Sequence, residues 1–155
     1  MKLSENFGLY EFFESSTADR NNINNLEPAN IVSNLERTVI NICQPVREHF
    51  GVPVYITSGY RSQELNELVG GAENSQHTSG EAVDMKTPYA SNIEIAKYIR
   101  DNLDFDQLIL EAYDPENENS GWVHCSYKNP DENRKEVLTA TFRDGDVNYS
   151  WGLNP

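Results

Sequence analysis

The sequence predicts an α+β domain, a small and mainly antiparallel sheet with helices packed on one side. Three observations support this. Apolar residues recur at helical spacing between Ile31 and Val46, short β-rich runs are scattered from Val52 onward, and Asp144-Gly145 sits as a hairpin signal between two β-rich segments near the end. Along the chain the elements read helix, strand, helix, strand, helix, strand, strand, hairpin. A chain of 155 residues suffices for one domain with a real core. Residues 1–155 are therefore read as one unit, with an N-terminal arm and loop over 1–28 and a hairpin-bearing extension over 129–155.

The aromatic-rich opening, with Phe7, Tyr10, Phe12 and Phe13, reads as a short helix or arm across the domain. Ser15 to Pro28 is polar, asparagine-rich and without periodicity, which reads as loop. Pro28 suits the first turn of a helix, where its missing N–H has no partner to lose. Ile31, Leu35, Val39, Ile42 and Val46 then make one apolar stripe that ends near Gly51. Val52 to Thr57 reads as a strand with Pro53 at its start. A short helix from Gln63 to Val69 is capped by Ser62 and stopped by Gly70-Gly71.

His77 is expected on a loop, with a chain turn at Gly80 and a strand from Glu81 to Met85. Ser91 and Glu94 have capping-box spacing and open a helix that runs to Leu103. Phe105 to Ala112 and Trp122 to Tyr127 read as strands joined by an acidic, flexible loop, Asp114 to Gly121. Asn129 to Glu136 reads as polar and mobile. Thr139 to Phe142 and Val147 to Trp151 form the closing hairpin.

Hydrophobic residues at 37% and charged residues at 24% suit a soluble globular protein. The net charge of -13, from 25 acidic and 12 basic residues, argues against nucleic acid or an anionic membrane as partner, since both would be repelled. Met1 to Asn6 lacks the apolar core of a signal peptide, and no segment has transmembrane length. The expectation is a monomer made in the cytoplasm that reaches an outside target only after release. Cys43, in an apolar helical run, and Cys125, pointing away from His124 on its strand, read as buried free thiols rather than a disulfide.

Chemistry concentrates in Gln76 to Asp84 and in Trp122 to Ser126. Two imidazoles and a carboxylate are ligand types that a catalytic zinc takes, with a fourth position left open. His77 and Asp84 are seven residues apart, nearly two helical turns, so they do not share a helix face; a turn at Gly80 would bring them together. His124 would arrive from the neighbouring strand, sharing a face with Trp122 and Ser126. His77 lies in a Ser-Gln-His-Thr-Ser-Gly run too polar for a core histidine. Taken singly, each histidine is more often an ordinary residue than a ligand, and the candidate site rests on the three residues together. His49, near the end of the long helix, reads as a surface or capping residue.

Ser58-Gly59-Tyr60-Arg61-Ser62, then Ser75-Gln76-His77-Thr78-Ser79-Gly80-Glu81-Ala82-Val83-Asp84, then Trp122-Val123-His124-Cys125-Ser126-Tyr127 resemble the zinc D-alanyl-D-alanine carboxypeptidase family. That family also holds phage L-alanyl-D-glutamate endopeptidases, and it belongs to a wider fold group with the hedgehog signalling domain and lysostaphin-like peptidases. The resemblance runs from Ser33 to Tyr127. It implies Zn2+ held by His77, Asp84 and His124, where the metal would polarise a peptide carbonyl and lower the pKa of a water. It implies Arg61 as a clamp for a substrate carboxylate or a developing oxyanion, with Ser75 and Gln76 as lesser substrate-binding residues.

One departure stands out. Many members of the family carry Asp or Glu three residues before the last histidine ligand, and here that residue is Gly121. Glu111 is the replacement candidate for catalytic base, because antiparallel pairing of its strand with Trp122 to Tyr127 would bring it near His124. Some relatives show a similar Asp-Gln-Leu-Ile-x-Glu strand. Asp106, Glu116 and Glu118 are poorer candidates, the last two because a floppy loop does not hold a base.

The expected function is a zinc metallopeptidase that cleaves peptidoglycan stem peptides at a bond involving D-amino acids. That covers a D-Ala-D-Ala carboxypeptidase and an L-Ala-D-Glu endopeptidase resembling a phage lysin. The rivals are a zinc-containing wall-binding module that has lost its base, and a structural protein of a phage particle.

Overall fold

The computed structural model describes residues 1–25 and 29–155. Pro28, expected to open the long helix, lies outside them. The N-terminal arm makes a 3-10 turn, Leu9–Phe12, and buries Phe7 and Phe12 with ring centroids 6.2 Å apart. It is tied down where the Tyr60 N–H donates to the Phe12 carbonyl at 2.7 Å.

The expected loop after Ser15 is corrected in its first part. Ser16–Arg20 is a short helix, α1, whose first turn is capped by Ser15 Oγ accepting from the Ala18 N–H at 3.1 Å. Its single buried side chain, Ala18, left no apolar period in the sequence.

The long stripe folds as expected, with one modification. α2 (Ala29–Thr38) and α3 (Gln44–Phe50) are joined by a π-helical turn, Val39–Cys43. The widened turn ends two residues before Pro45, which has no N–H to donate and whose ring crowds the carbonyl four residues back, that of Asn41 within the turn. Ile31, Leu35, Val39, Ile42 and Val46 are all buried.

β1 (Tyr55–Ser58), α4 (Gln63–Leu68), β2 (Ala82–Lys86), α5 (Asn92–Asn102), β3 (Gln107–Glu111) and β4 (Trp122–Ser126) follow. Ser62 and Ser91 cap α4 and α5, accepting from the backbone of Leu65 and Glu94 at 3.2 Å in each case.

β5 (Glu136–Arg143) and β6 (Asp146–Trp151) complete a six-stranded sheet in the order β1-β2-β4-β3-β5-β6. Every neighbouring pair is antiparallel except β3 and β5. The exception arises because the chain leaving β4 crosses the start of β3 before entering β5. Lys135 and Glu136 N–H groups donate to the carbonyls of Phe105 and Asp106 at 3.1 and 3.0 Å as it passes. Hydrogen-bonded turns order this crossing, with Asn129 Oδ1 accepting from the Asp131 and Glu132 N–H groups.

The core lies on one face of the sheet. Val83, Met85, Leu108, Leu110, Val123 and Cys125 meet the helical stripe together with Ile95 and Ile99 of α5. Each large apolar side chain buried there contributes about 1.5–3 kcal/mol relative to exposure. Cys43 and Cys125 are free and buried, and burial pushes both thiols up. No helix among the described residues is long and apolar enough to cross a membrane. The opposite face of the sheet carries the cleft.

Candidate active site

The cleft floor is built by register. Asp84 in β2 pairs with His124 in β4, and His124 pairs with Ile109 in β3, so one row of side chains crosses three strands on the same face. His77 reaches this row from a 3-10 turn, Gln76–Ser79, capped by Ser75 Oγ at 3.3 Å from the His77 N–H. Gly80 ends the turn with φ +76, and a β-carbon there would meet Ile31 Cγ2 at 2.8 Å. Glycine thus answers both the left-handed backbone and the close approach of α2.

Three donor atoms converge. His77 Nε2 lies 3.3 Å and His124 Nδ1 3.0 Å from the same oxygen, Asp84 Oδ1. His77 Nδ1 faces the Gly59 carbonyl at 2.8 Å, a contact that a proton on Nδ1 satisfies, so Nε2 is the atom that would bind a metal. One ligand atom from each residue lies within 4.8 Å of the others, and all three side chains are buried at the cleft floor. Ligands about 2.0–2.1 Å from a tetrahedral zinc stand roughly 3.3–3.4 Å apart, so the cluster has the dimensions for such an ion. Burial opposes ionisation of Asp84, but the His77 charge and hydrogen bonds from both histidines outweigh it and hold the carboxyl well below the usual range. An ionised carboxylate with two imidazoles is a donor set that fits zinc.

Arg61 enters the same cleft. Three of its five N–H groups are engaged: Nε with Ser58 Oγ at 3.1 Å, Nη1 with Asn66 Oδ1 at 3.3 Å, and Nη2 with Asp84 Oδ2 at 3.4 Å. The guanidinium is therefore fixed, and it anchors the Asp84 oxygen that the histidines do not contact.

Glu111 closes β3 directly opposite Trp122, one row above His124. The antiparallel pairing of β3 and β4 brings it to the wall of the cleft, about 660 Å³ in volume, that also holds the cluster and Arg61. Burial, then the Asp84 charge, raise the Glu111 pKa, against a smaller easing by His124, Trp122 and Arg61. The Trp122 indole N–H favours the charged carboxylate but finds no acceptor in hydrogen-bond geometry among the described residues. Ser75 and Gln76 line the cleft as well. Glu116 and Glu118 are exposed on the loop before β4, and His49 is stacked on Tyr98, ring centroids 3.9 Å apart.

Sequence reasoning missed how much of the cleft comes from the chain beyond β4. Lys128, Arg134, Phe142, Val147 and Tyr149 all line it. Asp106, set aside as a base, is wholly buried and ties the two parts together. It accepts from Gln76 Nε2 at 3.0 Å, from the Arg134 N–H and Nε at 3.0 Å, and from Arg134 Nη2 at 2.9 Å. No local pattern announces a contact across 28 residues. The alternation Val147, Tyr149, Trp151 was the available signal for a face that points somewhere.

Fold and donor set together are those of a protein that can hold a metal ion in a cleft, and family membership makes the class a metallopeptidase. The chain matches the family model described as Peptidase M15 over residues 5–126, and it belongs to that family. Comparison with curated proteins gives no match. Residues 127–155, including Arg134 and the β5–β6 hairpin, lie beyond the matched segment.

Proposed function

We propose that this chain is a zinc peptidase that hydrolyses peptidoglycan stem peptides at a bond involving a D-amino acid. The position of Glu111 carries this reading. A carboxylate with a raised pKa, half-sheltered in the cleft and one strand from His124, is what peptide hydrolysis requires. A binding module that had lost its base would have no use for it.

His77, Asp84 and His124 would hold the zinc, which supplies Lewis acidity to the scissile carbonyl and acidifies a water. Glu111 takes the proton from the attacking water and returns it to the leaving amine. Its raised pKa suits the first of these steps, because a carboxylate with a higher pKa is a stronger base towards water, while the acid so formed can still give the proton up to the more basic amine. Arg61 steadies Asp84 and has two N–H groups left for a substrate carboxylate or the developing oxyanion. Gln76 spends its Nε2 on Asp106, so its Oε1 is the group that meets a substrate N–H. Ser75 is the lesser contact, since its hydroxyl also caps the His77 turn.

Mass spectrometry of soluble fragments from purified peptidoglycan treated with zinc-loaded protein tests the proposal. Loss of a terminal D-alanine would identify a carboxypeptidase, and stem peptides beginning with D-glutamate an endopeptidase. An unchanged digest across several wall types, with zinc bound, would reject peptidase action in favour of a binding module.

A further inference from the structure

The part of the cleft built by β5 and β6 is aromatic and uncharged. Val147, Tyr149 and Trp151 leave β6 on one face, and Asp146, Asn148 and Ser150 on the other. Register sets Val147 opposite Phe142, Tyr149 opposite Ala140 and Trp151 opposite Leu138. Phe142, Val147 and Tyr149 line the cleft that holds the His77-Asp84-His124 cluster, so alternation puts Trp151 on the same face. Trp122 joins them from β4, its ring 6.2 Å from Phe142. These rings stand in water: Phe142 is 50% exposed, Tyr149 60% and Trp151 73%. A contiguous exposed apolar surface of this kind marks a binding face.

The chemistry of the cleft divides in two. Arg61, Lys128, Arg134 and Glu111 supply charge to one part, which suits a stem peptide with its carboxylates and amines. From Leu138 to Phe142 and from Val147 to Trp151 no charged residue alternates onto the shelf, which suits a neutral partner. The shelf is made mostly of rings, with flat apolar faces and, on Tyr and Trp, polar tips. That pattern complements a pyranose, whose C–H faces are apolar and whose rim carries hydroxyl and acetamido groups. An aliphatic partner would be matched by aliphatic side chains, and Val147 and Leu138 are the only large ones here.

Spacing agrees. Glu111, Ala140 and Tyr149 share one register row, so Tyr149 lies two strand spacings, about 10 Å, from Glu111. An extended peptide crosses that distance in about three residues.

We propose that the β5–β6 hairpin is a glycan-binding shelf. The sugar strand that bears the stem peptide stacks on Phe142, Tyr149 and Trp151 while the peptide runs into the cleft. This rests on the peptidoglycan reading above.

The test uses the full-length zinc-loaded chain, with soluble chitin oligosaccharides as the saccharide probe and a free synthetic stem peptide as the other substrate. Titration calorimetry should detect saccharide binding by the unmodified protein. Tyr149→Ala with Trp151→Ala should weaken it by about tenfold or more, the scale of one to two aromatic contacts. The same pair should lower cleavage of intact walls more than cleavage of free peptide. Tyr149→Phe with Trp151→Phe keeps the ring faces and should retain binding; a loss as large as that of the alanine pair would overturn the stacking argument. Hydrolysis of free peptide without any saccharide binding would overturn the shelf and leave the peptidase intact. Saccharide binding without hydrolysis would sustain the shelf and count against the peptidase. A concentration-dependent dimer that the alanine pair abolishes, with no saccharide bound, would overturn the proposal by giving the face to a second copy of the chain.

Discussion

A β-carbon at position 121 would stand 1.9 Å from the backbone carbonyl oxygen of Glu111. Gly121 also has φ +69, a conformation that side chains resist. The acid expected three residues before His124 is therefore excluded here by sterics, and the carboxylate at the cleft belongs to the very residue that Gly121 is pressed against. The departure from the family pattern and the position of Glu111 are thus linked by one contact.

Gly121→Asp, which restores the family's acid in sequence, should consequently damage the protein. Strained φ and backbone overlap together are expected to cost roughly 3 kcal/mol or more. Thermal unfolding and peptide cleavage both report on this, and a stable variant with raised activity would refute the steric account.

Glu111→Gln should reduce cleavage of wall peptides by roughly a hundredfold to ten-thousandfold, the usual worth of a general base. Its zinc content, measured by elemental analysis, should match that of the unmodified protein. Unimpaired turnover would place the base elsewhere.

The acid limb of the pH–rate profile should follow Glu111. A base works only when deprotonated, and burial pushes this carboxyl up. Activity should therefore fall, as pH is lowered, at a value above the ordinary glutamate pKa of about 4.3. Measuring kcat/KM against pH decides it, since a midpoint at or below the ordinary value would contradict the burial argument.

Chelation should abolish activity and lower the melting temperature. Zinc at about a thousand times its Kd stabilises a folded chain by roughly 4 kcal/mol. His77→Ala, Asp84→Ala and His124→Ala should each erase that zinc-dependent shift in calorimetry, whereas His49→Ala should preserve it.

Asp106→Ala should destabilise the chain by about 3 kcal/mol in urea unfolding, because it removes a buried carboxylate that accepts four hydrogen bonds. Burial opposes the charge on Asp106, and hydrogen bonds from Arg134 and Gln76 more than compensate, holding its pKa below the usual value. A depressed folded pKa stabilises fully above the unfolded value, about 3.9, and its contribution is lost as pH falls through the folded value. The variant's deficit should accordingly shrink in acid.

The sequence by itself determined the elements whose cause is local. The stripe from Ile31 to Val46 announced a helix, Ser62 and Ser91 marked caps, and Gly80 marked the turn that lets His77 approach Asp84. Alternation along β4 sorted His124 from Cys125. Each of these signals acts within a few residues, by backbone sterics, capping or side-chain period. Even there the reading was incomplete: Pro45 widens the helix into a π turn, and Ser15 caps a helix too short to show a period.

Only the tertiary structure decided the strand order, the parallel pairing of β3 with β5, the clamp of Asp106 on Arg134, and the contact that makes position 121 a glycine. These depend on residues far apart in the chain that meet through the crossing after β4 or across strands. Such meetings leave no period in the sequence. For that reason the cluster of His77, Asp84 and His124 could be picked out from its residue types together with the family resemblance, while the wall of the cleft made by Arg134, Phe142 and Tyr149 could not.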